Sequence, residues 1–87
     1  MNKAFRALAD PTRRKILTLL KKGEMNAGEI AAHFDIRPAS VSHHLKELTN
    51  AGLIMRERRG QRILYSLNAT VFEEVIAWFL EINGRHQ

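Results

Sequence analysis

The side chains with the most chemistry to offer lie close together in one stretch: Ser40, Ser42, His43, His44, Lys46 and Glu47. His43 and His44 precede Glu47 by the i,i+4 and i,i+3 spacings of metal ligands on one helix face. A third ligand has no obvious place, and zinc takes three protein ligands in catalytic sites and four in structural ones. The chain has no cysteine, which excludes disulfides, thiolate metal sites and thiol catalysis. No nucleophile–base pair stands out either, so neither an enzyme nor a cofactor is expected. His44 sits at the edge of an apolar stripe and reads as a packed structural histidine, and His33 as a surface or capping residue. What remains is polar and cationic contact. Ser40, Ser42, His43 and Lys46 supply it in one stretch, and Arg56, Arg58, Arg59, Gln61 and Arg62 in a second. A net charge of +5 and a pI of about 10.3 suit a polyanion partner.

These residues must be held by regular elements. Residues 38–51 read as a helix that begins at Pro38, which suits a first helical turn, and stops before Gly52, which suits the position past the end. Val41, Leu45 and Leu48 form its apolar stripe. At about 100° per residue, Ala39, Ser42, His43 and Lys46 point the other way, with Ser40 on the flank. A short helix precedes it, opened by Asn26 with Glu29 as its reciprocal cap, and carrying Ile30, Ala31 and Phe34 inward. Two short helices joined by the tight turn Asp35-Ile36-Arg37 make a helix-turn-helix. A DNA major groove accepts the small, polar and then basic outer face of the second helix.

The flanking segments complete the architecture. Residues 3–9 form a first helix with Ala4, Phe5 and Leu8. Asp10 caps a second, which starts at Pro11, runs to about Lys22 and is ended by Gly23, with Ile16, Leu17 and Leu20 inward. Arg13, Arg14 and Lys15 sit near its positive dipole end, where a phosphate or plain solvent would have to offset them. Residues 53–67 read as a β-hairpin around Gly60-Gln61, with a basic tip. Asn68 or Thr70 caps a last helix, Thr70 with Glu73 as a capping box, that runs to about Asn83. Its apolar residues cover more than one face, so a two-fold dimer through Phe5, Leu8, Phe72, Val75, Ile76, Phe79 and Leu80 is expected.

Length and charge agree with this plan. Eighty-seven residues make a single domain, 1–87, and no apolar run is long enough to span a membrane. The segment after Met1 has no apolar signal core, so a cytoplasmic protein is expected. Residues 1–24 hold seven Lys/Arg against two acids and residues 52–67 hold four Arg against one Glu, whereas residues 68–87 hold one Arg against three Glu. One basic face for phosphates and a separate role for the last helix follow. The expected fold is mainly α with a small β-hairpin: a winged helix-turn-helix in the order α-α-α-α-β-β-α. The helix-turn-helix spans 26–52, the wing 53–67, and dimerisation helices 1–9 and 69–83.

Three motifs carry a family resemblance. Ala9-Asp10-Pro11-Thr12-Arg13-Arg14-Lys15-Ile16-Leu17 resembles the opening signature of ArsR/SmtB-type bacterial repressors. Ser40-Val41-Ser42-His43-His44-Leu45-Lys46-Glu47-Leu48 is similar to that family's recognition helix. Ala51-Gly52-Leu53-Ile54 with Arg58-Arg59-Gly60-Gln61-Arg62 resembles its wing. Within the family, the small cysteine-free chain looks most like the SdpR-type autorepressors. The resemblance implies a homodimeric repressor of double-stranded DNA at an inverted-repeat operator, released by an effector. The positions that match the family's usual thiolate pair are Asn26 and Gly28. The last helix offers Glu73, Glu74 and Glu81 without a histidine, and His86 lies in the tail, so both usual metal sites are expected to be absent. A regulatory protein partner, a small effector or the repressor's own concentration would then be the signal. In the resulting site, Pro38, Ala39, Ser40, Ser42 and His43 approach base edges, while Lys46 and the wing arginines hold phosphates. The alternatives are a winged helix used only for protein contact and a metal-responsive regulator with a non-standard site.

Overall fold

The computed structural model describes residues 2–84; His86 lies outside them. The elements are α1 (Asn2–Leu8), α2 (Pro11–Leu20), α3 (Ala27–Ala31), α4 (Pro38–Asn50), β1 (Ile54–Arg59), β2 (Arg62–Leu67) and α5 (Ala69–Gly84). This is the expected order. Asp10 starts α2 by accepting the Arg13 backbone N–H at 3.0 Å. Asn26 and Glu29 form the reciprocal box that opens α3, at 2.8 and 2.9 Å. Gly52 follows α4 with φ +78, a left-handed conformation that costs glycine little.

Two end readings need correction. α2 stops at Leu20, because Lys21 is already its C-cap and returns its N–H to Leu17. Thr70 is not a cap. α5 begins at Ala69, and the Phe72 N–H reaches the Asn68 carbonyl, so Asn68 holds the position before the helix. Thr70 and Glu73 share the capping-box spacing only because three residues is also the spacing of neighbours inside a helix.

The core forms where α2, α3 and α4 converge. Ile16, Ile30, Leu48 and Leu53 are fully buried, and Val41, Leu45 and Ile54 nearly so. Ala4 and Ala7 of α1 and Val75 of α5 close it from the chain ends. β1 and β2 pair antiparallel from Ile54↔Leu67 to Arg59↔Arg62. The link before α3 adds a further rung, since Met25 and Tyr65 exchange both backbone hydrogen bonds at 3.0 and 2.8 Å. β2 therefore lies between β1 and the Glu24–Met25 link, and the wing is hydrogen-bonded to the helical core.

The Asp10 cap makes a stability prediction. The Arg13 backbone N–H, helped by the positive charge of Arg13, holds the Asp10 carboxyl below its ordinary value of 3.8. A lowered folded pKa means stability that is present above the ordinary value and lost as pH falls through the folded one. Asp10→Ala should cost about 1 kcal/mol at pH 7, or roughly 4–8 °C in Tm for a domain of this size. Asp10→Asn, which keeps the capping oxygen, should retain most of it. The gap between Asp10→Ala and the parent should narrow in melts taken below the carboxylate range. An equal gap at both pH values would mean that the carboxylate charge contributes nothing.

Candidate nucleic-acid interface

The outer face of α4 is set by what its inner face buries. Val41, Leu45 and Leu48 face the core, and Pro38, Ala39, Ser40, Ser42, His43 and Lys46 are all exposed. Its first residue is Pro38, and Arg37 in front of it makes no side-chain cap. The positive end of the helix dipole thus opens outward beside the small residues Pro38, Ala39 and Ser40.

Two side chains at the start of α2 hold α4 in place. Arg13 of α2 donates its Nε–H to His44 Nδ1 at 3.2 Å, and Asp10 Oδ2 lies 3.9 Å from the same nitrogen. The His44 side chain is only 16% exposed, so it is the packed histidine its position predicts. With Nδ1 accepting, its proton sits on Nε2. The cations at the start of α2 are engaged within the chain. Arg14 donates to the Leu8 carbonyl at 2.7 Å, and Lys15 reaches the His33 carbonyl at 3.4 Å while lying 5.0 Å from the centre of the Phe34 ring. Arg14 and Lys15 remain exposed while they tie α2 to α1 and to the end of α3.

The wing presents two different faces. Gly60 is the first of two turn residues, with φ +62, and Gln61 has a negative φ, the pattern of a type II′ hairpin. Side chains alternate along a strand, so Arg56 and Arg58 share one face with Tyr65 and Ile63. Glu57, Arg59 and Arg62 share the other with Leu64. Arg58 donates to the Gly60 carbonyl at 3.1 Å, while Arg56 and Arg62 are exposed and make no hydrogen bond among the described residues. Arg59 is fully engaged. Its Nη1 and Nη2 meet Glu24 at 2.6 and 3.0 Å, and its Nε and Nη2 meet Glu57 at 3.3 and 3.2 Å. The Glu57 and Glu24 carboxylates raise its already high pKa further. Sequence reasoning gave no sign of this pairing, because Glu24 lies 35 residues away.

α5 carries the third feature. Ile76 is 53% exposed, Phe79 49% and Leu80 64%. Phe5, Leu8 and Phe72, from the same expected interface, are half-buried against the protomer's own core. Val75 departs from that set: it is 5% exposed and belongs to the core itself, because it lies on the side of α5 that faces the domain. Trp78 lies outside the expected set, yet its ring meets Phe5 edge-on at 5.1 Å and adjoins Phe79 at the same distance. Its apolar bulk on the same helix was the available signal.

Comparison with known proteins now decides the family. Residues 10–56, from the cap of α2 into β1, match the model described as bacterial regulatory protein, arsR family. The transcriptional repressor SdpR of Bacillus subtilis is 56% identical over 80 residues, covering 92% of this chain and 89% of that protein.

The chain belongs to the ArsR family.

Solved structures agree. A crystal structure of another ArsR family transcriptional regulator superposes with a TM-score of 0.88 at 34% identity, covering 95% of this chain and 91% of that one. The homodimeric winged helix-turn-helix DNA-binding domain of a Mycobacterium bovis protein gives 0.77 at 27% identity, covering 98% and 79%. This ArsR-family chain is thus a winged helix-turn-helix transcriptional regulator, with α3 and α4 as the helix-turn-helix and β1 and β2 as the wing. Asn26, at a position where the family resemblance would place a thiolate, spends its side-chain oxygen on the α3 cap. Among the described residues no group of three or more His, Cys, Asp or Glu side chains could hold a metal ion. No helix among them is long and apolar enough to cross a membrane.

Proposed function

We propose that this ArsR-family regulator acts in the cytoplasm as a homodimeric repressor of double-stranded DNA, and that it controls its own promoter. The observation that carries the reading is the exposed Ser40/Ser42/His43/Lys46 face of a helix whose other side is locked into the core, next to an arginine-bearing wing. The two α4 helices of a dimer would enter successive major grooves about 34–36 Å apart, on an inverted repeat. Ala39, Ser40, Ser42 and His43 would meet base edges, with Pro38 in van der Waals contact. Lys46, Arg56, Arg58 and the tip residue Gln61 would contact the backbone. α4 offers no exposed Arg, Asn or Gln in its first turns to read a base with two hydrogen bonds. Recognition would therefore lean on close contact, bridging water and DNA shape. The dimer would form through Ile76, Phe79 and Leu80 with the half-buried Phe5, Leu8 and Phe72. The names of SdpR, a repressor, and of the homodimeric M. bovis domain support the reading.

Binding to the duplex upstream of its own gene, measured across a salt series against scrambled DNA, tests it. Tight binding with a two-fold footprint is expected. Its log–log salt slope should be about −0.9 per phosphate neutralised, and should fall by roughly one for each of Arg56 and Arg58 replaced by alanine. Equal, weak binding to both duplexes, with capture of a protein partner by the same face, would establish the protein-contact alternative instead.

A further inference from the structure

The wing's two faces differ in net charge, and this separates arginines that the sequence alone treats alike. On one face Arg56 and Arg58 stand without an acid among their cross-strand partners, Tyr65 and Ile63. On the other, the Arg59 guanidinium is gripped by two carboxylates, Glu24 and Glu57. With Arg62 cross-strand from Arg59, this face sums to zero net charge, against +2 on the Arg56/Arg58 face, so a phosphate is drawn to the latter.

We infer that Arg59 is a positioning residue: with Glu24 and Glu57 it forms a strut that sets the angle of the wing, and the Arg56/Arg58 face is the one turned to DNA. The proposal deepens the DNA-binding reading and rests on it for the direction of the wing.

The geometry carries the strut. Glu24 precedes Met25, which pairs with β2, while Arg59 ends β1 on the other side of β2. The Arg59–Glu24 pair therefore crosses the whole hairpin and joins its outer strand, near the tip, to the link that leads into α3. An isolated exposed ion pair contributes little. Here all three guanidinium nitrogens are used, fork to fork with Glu24 and again with Glu57, and that geometry fixes direction as well as distance. Leu64 lies on the same face, directly opposite Glu57, and is only 6% exposed. Leu64 is thus the buried residue of the strut's face, while the Arg59, Glu24 and Glu57 side chains keep 50%, 40% and 62% of their exposure.

The two roles for Arg59 predict opposite signs for one substitution. If Arg59 held a phosphate, Glu24→Gln would free it and remove a repelling charge, so DNA binding would tighten. If Arg59 is a strut, Glu24→Gln loosens the wing, and binding to the upstream duplex should weaken about 3- to 10-fold with the salt slope unchanged. Arg59→Ala should do the same, and the double variant should be no worse than either single one, because both break one interaction. Amide hydrogen exchange over residues 56–64, measured on the full chain without DNA, should speed up several-fold in both variants. Unchanged or tighter binding by Glu24→Gln overturns the proposal, as does a salt slope that falls by about one in Arg59→Ala. The exchange measurement needs no DNA. Should the parent fail to bind the duplex at all, the DNA reading falls, and exchange that is equal in parent and variants overturns the strut by itself.

Discussion

Ile76→Glu combined with Leu80→Glu should give a folded monomer that has lost at least about 100-fold in affinity for duplex DNA, although neither residue approaches the proposed DNA face. The two positions are one helical turn apart and share a face of α5. They are 53% and 64% exposed, so the protomer loses little burial when they change. Val75, on the side of α5 packed against the domain, is untouched and continues to hold the helix. What is lost is the apolar surface available to a second copy, now with four carboxylates brought together across the two-fold axis. A repressor that reads two half-sites owes much of its affinity to the link between them, and a lone domain keeps only the single-site part. Sedimentation or light scattering should report the 10.0 kDa of one chain instead of twice that mass. A variant that stays dimeric would remove α5 from the interface. A monomer that binds as the parent does would remove the dimer from the mechanism.

The sequence made the proposed DNA-facing half of the molecule legible because its signals are local. Pro38 and Gly52 bound α4, the Val41/Leu45/Leu48 stripe sets its rotation, and the Asn26–Glu29 box opens α3; each works within one or two turns of helix. The Gly60-Gln61 turn placed the strand register in the same way. Thr70–Glu73 shows the weakness of such signals, since a capping spacing also occurs where there is no cap. Long-range pairings left no local trace. Arg13 meets His44 across 31 residues and Arg59 meets Glu24 across 35, and in both cases flexible cations find partners that only the fold brings near. Arg59 therefore reads as a phosphate contact in the sequence although two carboxylates already pair with it. The breadth of the apolar surface on α5 was readable, but its division was not: Val75 turns inward to the protomer, while Ile76 and Leu80 turn out.

Ser42→Glu with His43→Glu is the sharpest test of the recognition face, because it should leave everything except DNA binding intact. Both side chains are exposed and opposite the buried stripe, and neither is part of the Arg13–His44–Asp10 contact that fixes α4. Glutamate is a better helix former than serine or histidine, so Tm should move by no more than a few degrees. In the proposed complex the two carboxylates would enter the major groove between rows of phosphates. Like charges brought together cost several kcal/mol, and each 1.4 kcal/mol is a factor of ten, so a loss of about 100- to 1,000-fold is expected. His44→Ala should behave in the opposite way. It removes the acceptor for Arg13 and lowers stability, yet leaves the outer face of α4 unchanged, so affinity measured well below its Tm should fall far less. If the Glu variant binds the duplex as the parent does, α4 does not enter the groove and the helix-turn-helix of this chain serves another partner. If His44→Ala loses as much affinity as the Glu variant while remaining folded, the reading face of α4 is rotated toward His44, and the assignment of its outer residues must rotate with it.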